Sequence, residues 1–88
     1  MKIKEGFILR EVADSFVAVA VGDTAANFNG LINLNETGAF IWKQLENDTT
    51  EENVVAALLE EYEIDKDTAT SAVAGFIQKL KEAKLLSE

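Results

Sequence analysis

The chain has 88 residues, 48% of them hydrophobic, with 16 acidic against 8 basic side chains and a formal net charge of −8. That length gives one domain, residues 1–88, with a real core, and the charge repels phosphate backbones and anionic membrane surfaces. With no Cys and no His, there is no disulfide, thiol nucleophile, iron–sulfur or zinc-finger ligand set, or histidine base.

The start, MKIKEGFILR, has two Lys but neither a long apolar core nor a small-residue cleavage site, so it does not read as a signal peptide. No apolar run reaches the length of a membrane span. A cytoplasmic location is expected. FILREV, Phe7 to Val12, interposes charges among apolar residues and predicts a strand. ADS, Ala13 to Ser15, predicts a turn. FVAVAV, Phe16 to Val21, is rich in β-branched residues and predicts the second strand of a hairpin.

GDTAANFNG, residues 22–30, predicts a loop with one helical turn at Thr24 to Asn27 and a turn at Asn29-Gly30, where both residues tolerate positive φ. LINL, Leu31 to Leu34, predicts a third strand. From Asn35 the hydrophobic period changes. Asn35 reads as an N-cap with Glu36 in the dipole-favoured first turn, and Phe40, Ile41, Trp42 and Leu45 make an apolar face.

Thr49 and Glu52 have capping-box spacing, placing a second helix start near Thr50. Its apolar stripe is Val54, Val55, Leu58, Leu59 and Tyr62. Asp65 reads as the cap of a third helix with Asp67 behind it. Val73, Phe76, Ile77 and Leu80 form its stripe, and Lys79, Lys81 and Lys84 crowd its end. Leu85 and Leu86 are expected to tuck back on the core. The predicted architecture is α+β: three strands, then three helices.

Three motifs reduce to structural roles. Asp14-Ser15 has the dipeptide of a phosphopantetheine attachment site, but that site opens a helix and Ser15 opens a β-patterned run. The segment from Asp65 to Phe76 begins like a calcium loop, yet Thr70 stands where its Gly is needed and Phe76 where its Glu is needed. Glu51/Glu52 and Glu60/Glu61 are adjacent pairs, which diverge on a helix and cannot share acid–base work. No phosphate-cradle spacing links the glycines at 6, 22, 30, 38 and 75. The expectation is a protein without catalysis of its own, without cofactor and without metal.

The third strand is the feature these roles leave over. A three-stranded meander has two edges, and an open edge is a row of unpaired backbone donors and acceptors. Gly30 to Leu34 contains no Lys, Glu or Pro to blunt it. One reading is that the edge is short and therefore harmless. The other is that it accepts an extended peptide as a further strand.

GLINLNETGAFIW, then TTEENVVAALLEEY, then IDKDTA and FIQKLKEAKLL resemble the PqqD-like family. The most specific part is Leu34-Asn35-Glu36-Thr37 followed by Ile41-Trp42. Gly38 departs from the better helix former Ala, and Lys66 stands where a Pro often follows the third cap. The resemblance implies a winged-helix-like fold, an N-terminal three-stranded antiparallel sheet followed by three helices. It also implies a non-catalytic recognition element for ribosomally synthesised, modified peptides. Such an element binds a precursor's leader by β-strand addition and presents it to a modifying enzyme, often a radical SAM protein. Carried onto this chain, the resemblance points to Gly30, Leu31, Ile32 and Asn33 at the strand, with Val73, Phe76 and Ile77 on the third helix.

A winged-helix DNA-binding regulator is the alternative, but it calls for basic residues along the recognition helix, where Asp65 and Asp67 stand at the entrance. The sequence leaves open whether Leu31 and Asn33, or Ile32 and Leu34, turn their backbone groups to the open edge. Leu31, Ile32 and Leu34 are all apolar and give no alternation to read.

Overall fold

The computed structural model describes residues 1–13, 15–22 and 31–87. In chain order these form β1 (Lys2–Ile3), β2 (Phe7–Val12), β3 (Ser15–Ala20), β4 (Leu31–Leu34), α1 (Glu36–Leu45), α2 (Glu51–Glu61), α3 (Lys66–Glu82) and β5 (Leu86–Ser87). The fold is α+β, an antiparallel three-stranded sheet followed by three helices. The helical turn expected at 24–27 and the turn at Asn29-Gly30 lie outside the described residues. The chain divides into two compact units, Lys4–Ala39 and Met1–Ile3 with Phe40–Glu88.

The first unit holds the sheet, in the order β2-β3-β4 with both pairings antiparallel. Phe7 lies opposite Ala20 and Val12 opposite Ser15, while Phe16 lies opposite Leu34 and Ala18 opposite Ile32. Side chains alternate between faces. One face carries Leu9, Ala18, Ala20, Ile32 and Leu34, and Ala18 and Leu34 on it are buried. The other carries Ile8, Arg10, Val12 and Asn33, all exposed.

Ser15 differs from its predicted turn role: it is the first residue of β3. The loop is therefore two residues, Ala13 and Asp14, with Asp14 outside the described residues. Ala13 has φ +56°, the positive φ that a two-residue hairpin loop needs at its first position. Asn35 ends the sheet and starts α1, its side-chain carbonyl accepting from the Gly38 N–H at 2.7 Å.

The second unit holds the helices. Ile41, Trp42 and Leu45 of α1, Val54 and Leu58 of α2, and Val73, Ile77 and Leu80 of α3 are buried, as the predicted stripes require. Phe40 and Tyr62 meet edge to face at 5.6 Å. The α2 cap differs by one residue from the capping-box spacing. Thr50 is the N-cap and accepts from the Asn53 N–H. Thr49 instead donates its N–H to the Met1 carbonyl at 2.9 Å, which holds it in the connection before the helix. Asp65 caps α3 as predicted, accepting from the Thr68 N–H at 2.6 Å. Lys66 opens that helix, and Lys79 and Lys81 lie in its last turn.

Two short strands had no signal in the sequence. β1 pairs antiparallel with β5, Ile3 opposite Leu86, so the chain end forms a ladder while Leu85 is buried. The Met1 ammonium donates to the Asp48 carboxylate and to the Thr49 carbonyl, each at 2.8 Å.

Candidate functional site

β4 is an edge strand, and among the described residues nothing pairs with its outer side. Its backbone direction follows from one hydrogen bond. The Val21 N–H donates to the Gly6 carbonyl at 2.7 Å. Continuing the β2–β3 register by one step from Phe7 and Ala20 places Gly6 directly opposite Val21. Two opposed residues that bond each other form a hydrogen-bonded pair, and such pairs alternate with non-bonded ones. Ile8 with Val19, Arg10 with Val17, and Val12 with Ser15 are therefore hydrogen-bonded pairs. The last of these closes the two-residue loop.

Ser15, Val17 and Val19 thus turn their N–H and C=O groups to β2, and Phe16, Ala18 and Ala20 turn theirs to β4. Phe16 with Leu34 and Ala18 with Ile32 are then the bonded pairs of the second ladder. Ile32 and Leu34 spend their backbone groups inside the sheet. Leu31 and Asn33 aim theirs outward, one donor and one acceptor each. This settles the parity that apolar content could not. A hairpin signal was present in the sequence, but reading Ser15 as a turn residue gave a three-residue loop and lost the phase.

Of the residues assigned to the peptide, Leu31, Ile32 and Asn33 lie on this edge strand, and Gly30 falls outside the described residues. Ile32 is half-buried and Asn33 exposed. Val73 and Ile77 of α3 are buried within the protein, at 0% and 3% exposure, and Phe76 is half-buried. Phe76 is therefore the member of the α3 trio with surface to offer. The opposite edge, β2, carries Arg10 and Glu11, side chains of the kind that discourage strand addition.

A shallow groove of about 850 Å³ lies between α2 and α3, lined by Val55, Ala56, Leu59 and Thr70 with Glu51, Glu52 and Lys66. No ion pair or side-chain hydrogen bond among the described residues orients Glu51 or Glu52 for proton transfer. Nor do the described residues hold a cluster of acidic side chains able to bind a metal ion. No helix of the described residues is long and apolar enough to cross a membrane.

Two carboxylates titrate below their ordinary range. Asp48 is lowered by the hydrogen bond and the charge of the Met1 ammonium. Asp65 is lowered by hydrogen bonds from the Thr68 side chain and backbone. Both are structural, one tying the N-terminal residue to the α1–α2 connection and the other capping α3.

Two solved structures share the fold. TbiB1 in complex with the TbiA(beta) leader peptide superposes with a TM-score of 0.76 and 26% identity, over 99% of this chain and 95% of that one. A lasso peptide synthetase B1 complexed with its leader peptide gives a TM-score of 0.74 and 21% identity, over 99% and 96%. No curated protein matches in sequence. The model of the family described as coenzyme PQQ synthesis protein D matches residues 16–86, from the second residue of β3 to the first of β5. With β4, nearly all of β3, the Asn35-capped helix and the two helices that follow inside that match, the chain belongs to the PqqD family.

Proposed function

We propose that this protein is a non-catalytic recognition element that binds the leader of a ribosomally synthesised precursor peptide as a strand along β4 and presents the peptide to a separate modifying enzyme. The observation that carries this reading is the open edge of β4, where Leu31 and Asn33 direct unpaired backbone groups outward. No charged residue or Pro guards it. Family membership supports the reading, as do the leader peptides bound to the structurally similar TbiB1 and lasso B1 proteins.

The strand contact is assigned to Leu31, Ile32 and Asn33, with Gly30 preceding them in the chain; of Val73, Phe76 and Ile77 on α3, Phe76 is the one that keeps surface. Where the modifying enzyme is a radical SAM protein, its iron–sulfur cluster is ligated by Cys outside these 88 residues, which contain none.

Four backbone hydrogen bonds at about 0.5–1.5 kcal/mol each, with two or three apolar anchors, outweigh the ordering of a flexible leader by enough for roughly micromolar binding, about −8 kcal/mol. Amide hydrogen exchange with and without leader is the test. Ile32 and Leu34 should be protected in both states. Leu31 and Asn33 should exchange fast in the free protein and slow markedly on binding. Leader binding that leaves Leu31 and Asn33 fast would rule out addition at this edge.

A further inference from the structure

We infer that the groove between α2 and α3 docks a basic amphipathic helix of a partner protein, one with an apolar stripe flanked by Lys or Arg. The groove lies within the helical unit and uses no residue of β4, so the inference stands or falls apart from strand addition. α2 carries more apolar surface than the core consumes. Val54 and Leu58 are fully buried, whereas Val55 keeps 8% exposure, Leu59 is half-buried and Ala56 is exposed. The last three, with Thr70 of α3, line the groove of about 850 Å³.

Residues four apart share one face of a helix. Two such rows run along α2: Glu51, Val55 and Leu59 in one, Glu52, Ala56 and Glu60 in the other. The apolar floor is thus edged by acids on the α2 side. The α3 wall adds neutral Thr70 and one base, Lys66. A floor built on helical spacing between two helices fits the apolar stripe of a third.

The charge of the occupant follows from the acids. No Lys or Arg stands between Glu46 and Asp65. Glu60 and Glu61 occupy the last turn of α2, where the helix dipole favours cations, and that turn holds no base. None of Glu51, Glu52, Glu60 and Glu61 is ion-paired within the protein. Their repulsion is relieved by cations brought from outside. A second copy is a poor source, because two chains of charge −8 repel and a groove-to-tail contact would propagate without closing.

The probe is a labelled synthetic helix of about 18 residues, with Leu at spacings of three and four and Lys elsewhere. One control has the same composition with the Leu residues scattered off the stripe. Another has Glu in place of Lys. The whole protein is titrated with each at about 150 mM salt. The Lys peptide should bind saturably and move the backbone amide signals of Val55, Ala56, Leu59 and Thr70. Both controls should bind at least roughly tenfold more weakly, as the loss of one buried Leu alone would cause. Ala56→Arg and Thr70→Arg, exposed positions on opposite walls, should each weaken the Lys peptide by roughly tenfold or more while melting near the wild-type temperature.

Equal binding by the scattered peptide would reduce the effect to bulk charge and overturn the inference. Equal binding by the Glu peptide would overturn the charge complementarity. Absence of binding, indifference to both Arg variants, or signals that move at Leu31 and Asn33 instead would remove the groove as the site. Self-association of the protein that Ala56→Arg abolishes would make a second copy the occupant and overturn the assignment to a partner. Exchange at Leu31 and Asn33 with leader reports on strand addition separately from all of these.

Discussion

At the scale of single residues, a helix cap, an ion-paired carboxylate and a core leucine contribute to stability. Asp65 accepts from Thr68 and titrates below its ordinary value. A carboxylate lowered by folding contributes stability that is present above its unfolded pKa, about 3.9, and is lost as pH falls through the lower folded value. Asp65→Ala should therefore lower the melting temperature at pH 7, and the gap to the wild type should close only below about pH 4. Thermal melts of both proteins from pH 2 to 7 measure this. Asp48 titrates in the same direction through the Met1 ammonium, so its contribution should fade in the same acid range. In the core, Leu58 is fully buried, and Leu58→Ala should cost about 2–5 kcal/mol by denaturant unfolding.

At the scale of elements, the α2 start separates two neighbouring threonines. Thr50 bonds the Asn53 N–H and Thr49 does not cap. Thr50→Ala should cost about 1 kcal/mol, and Thr49→Ala, which keeps the backbone bond to Met1, a few tenths at most. β4 offers a sharper contrast. Pro at 33 removes an outward N–H, whereas Pro at 32 removes one that bonds to Ala18 across the ladder. Asn33→Pro should leave the melting temperature nearer the wild-type value while weakening leader binding. Ile32→Pro should destabilise the fold by more. Calorimetry paired with a fluorescence titration distinguishes the two. The helices were legible at this scale because each carries its own signals: Asn35, Thr50 and Asp65 at the starts and stripes of spacing three and four behind them. β1 and β5 were not legible, since two residues contain no period, and Ile3 pairs with Leu86 from the far end of the chain.

At the scale of the whole molecule, the charge of −8 separates a peptide binder from the winged-helix regulator. Half of the acidic side chains lie between Glu46 and Asp65, a span with no Lys or Arg. Duplex DNA should give no saturable binding at 150 mM salt, where the same labelled protein binds leader. A specific duplex complex with a steep salt slope would reverse that ranking. The sequence by itself determined the order of three strands and then three helices, the Asn35 and Asp65 caps, the helix stripes, the absence of Cys and His, and the lack of guarding charges in LINL. These are properties of residues and their near neighbours, so local chemistry is enough to read them. The phase of the β4 edge, and which of the stripe residues Val73, Phe76 and Ile77 keeps surface, were decided only by the tertiary structure. Three consecutive strands had to be aligned before one hydrogen bond, Val21 to Gly6, could say which backbone groups of Leu31 and Asn33 remain for a partner. Register is a relation between segments, and a four-residue run with apolar side chains at both parities holds no record of it.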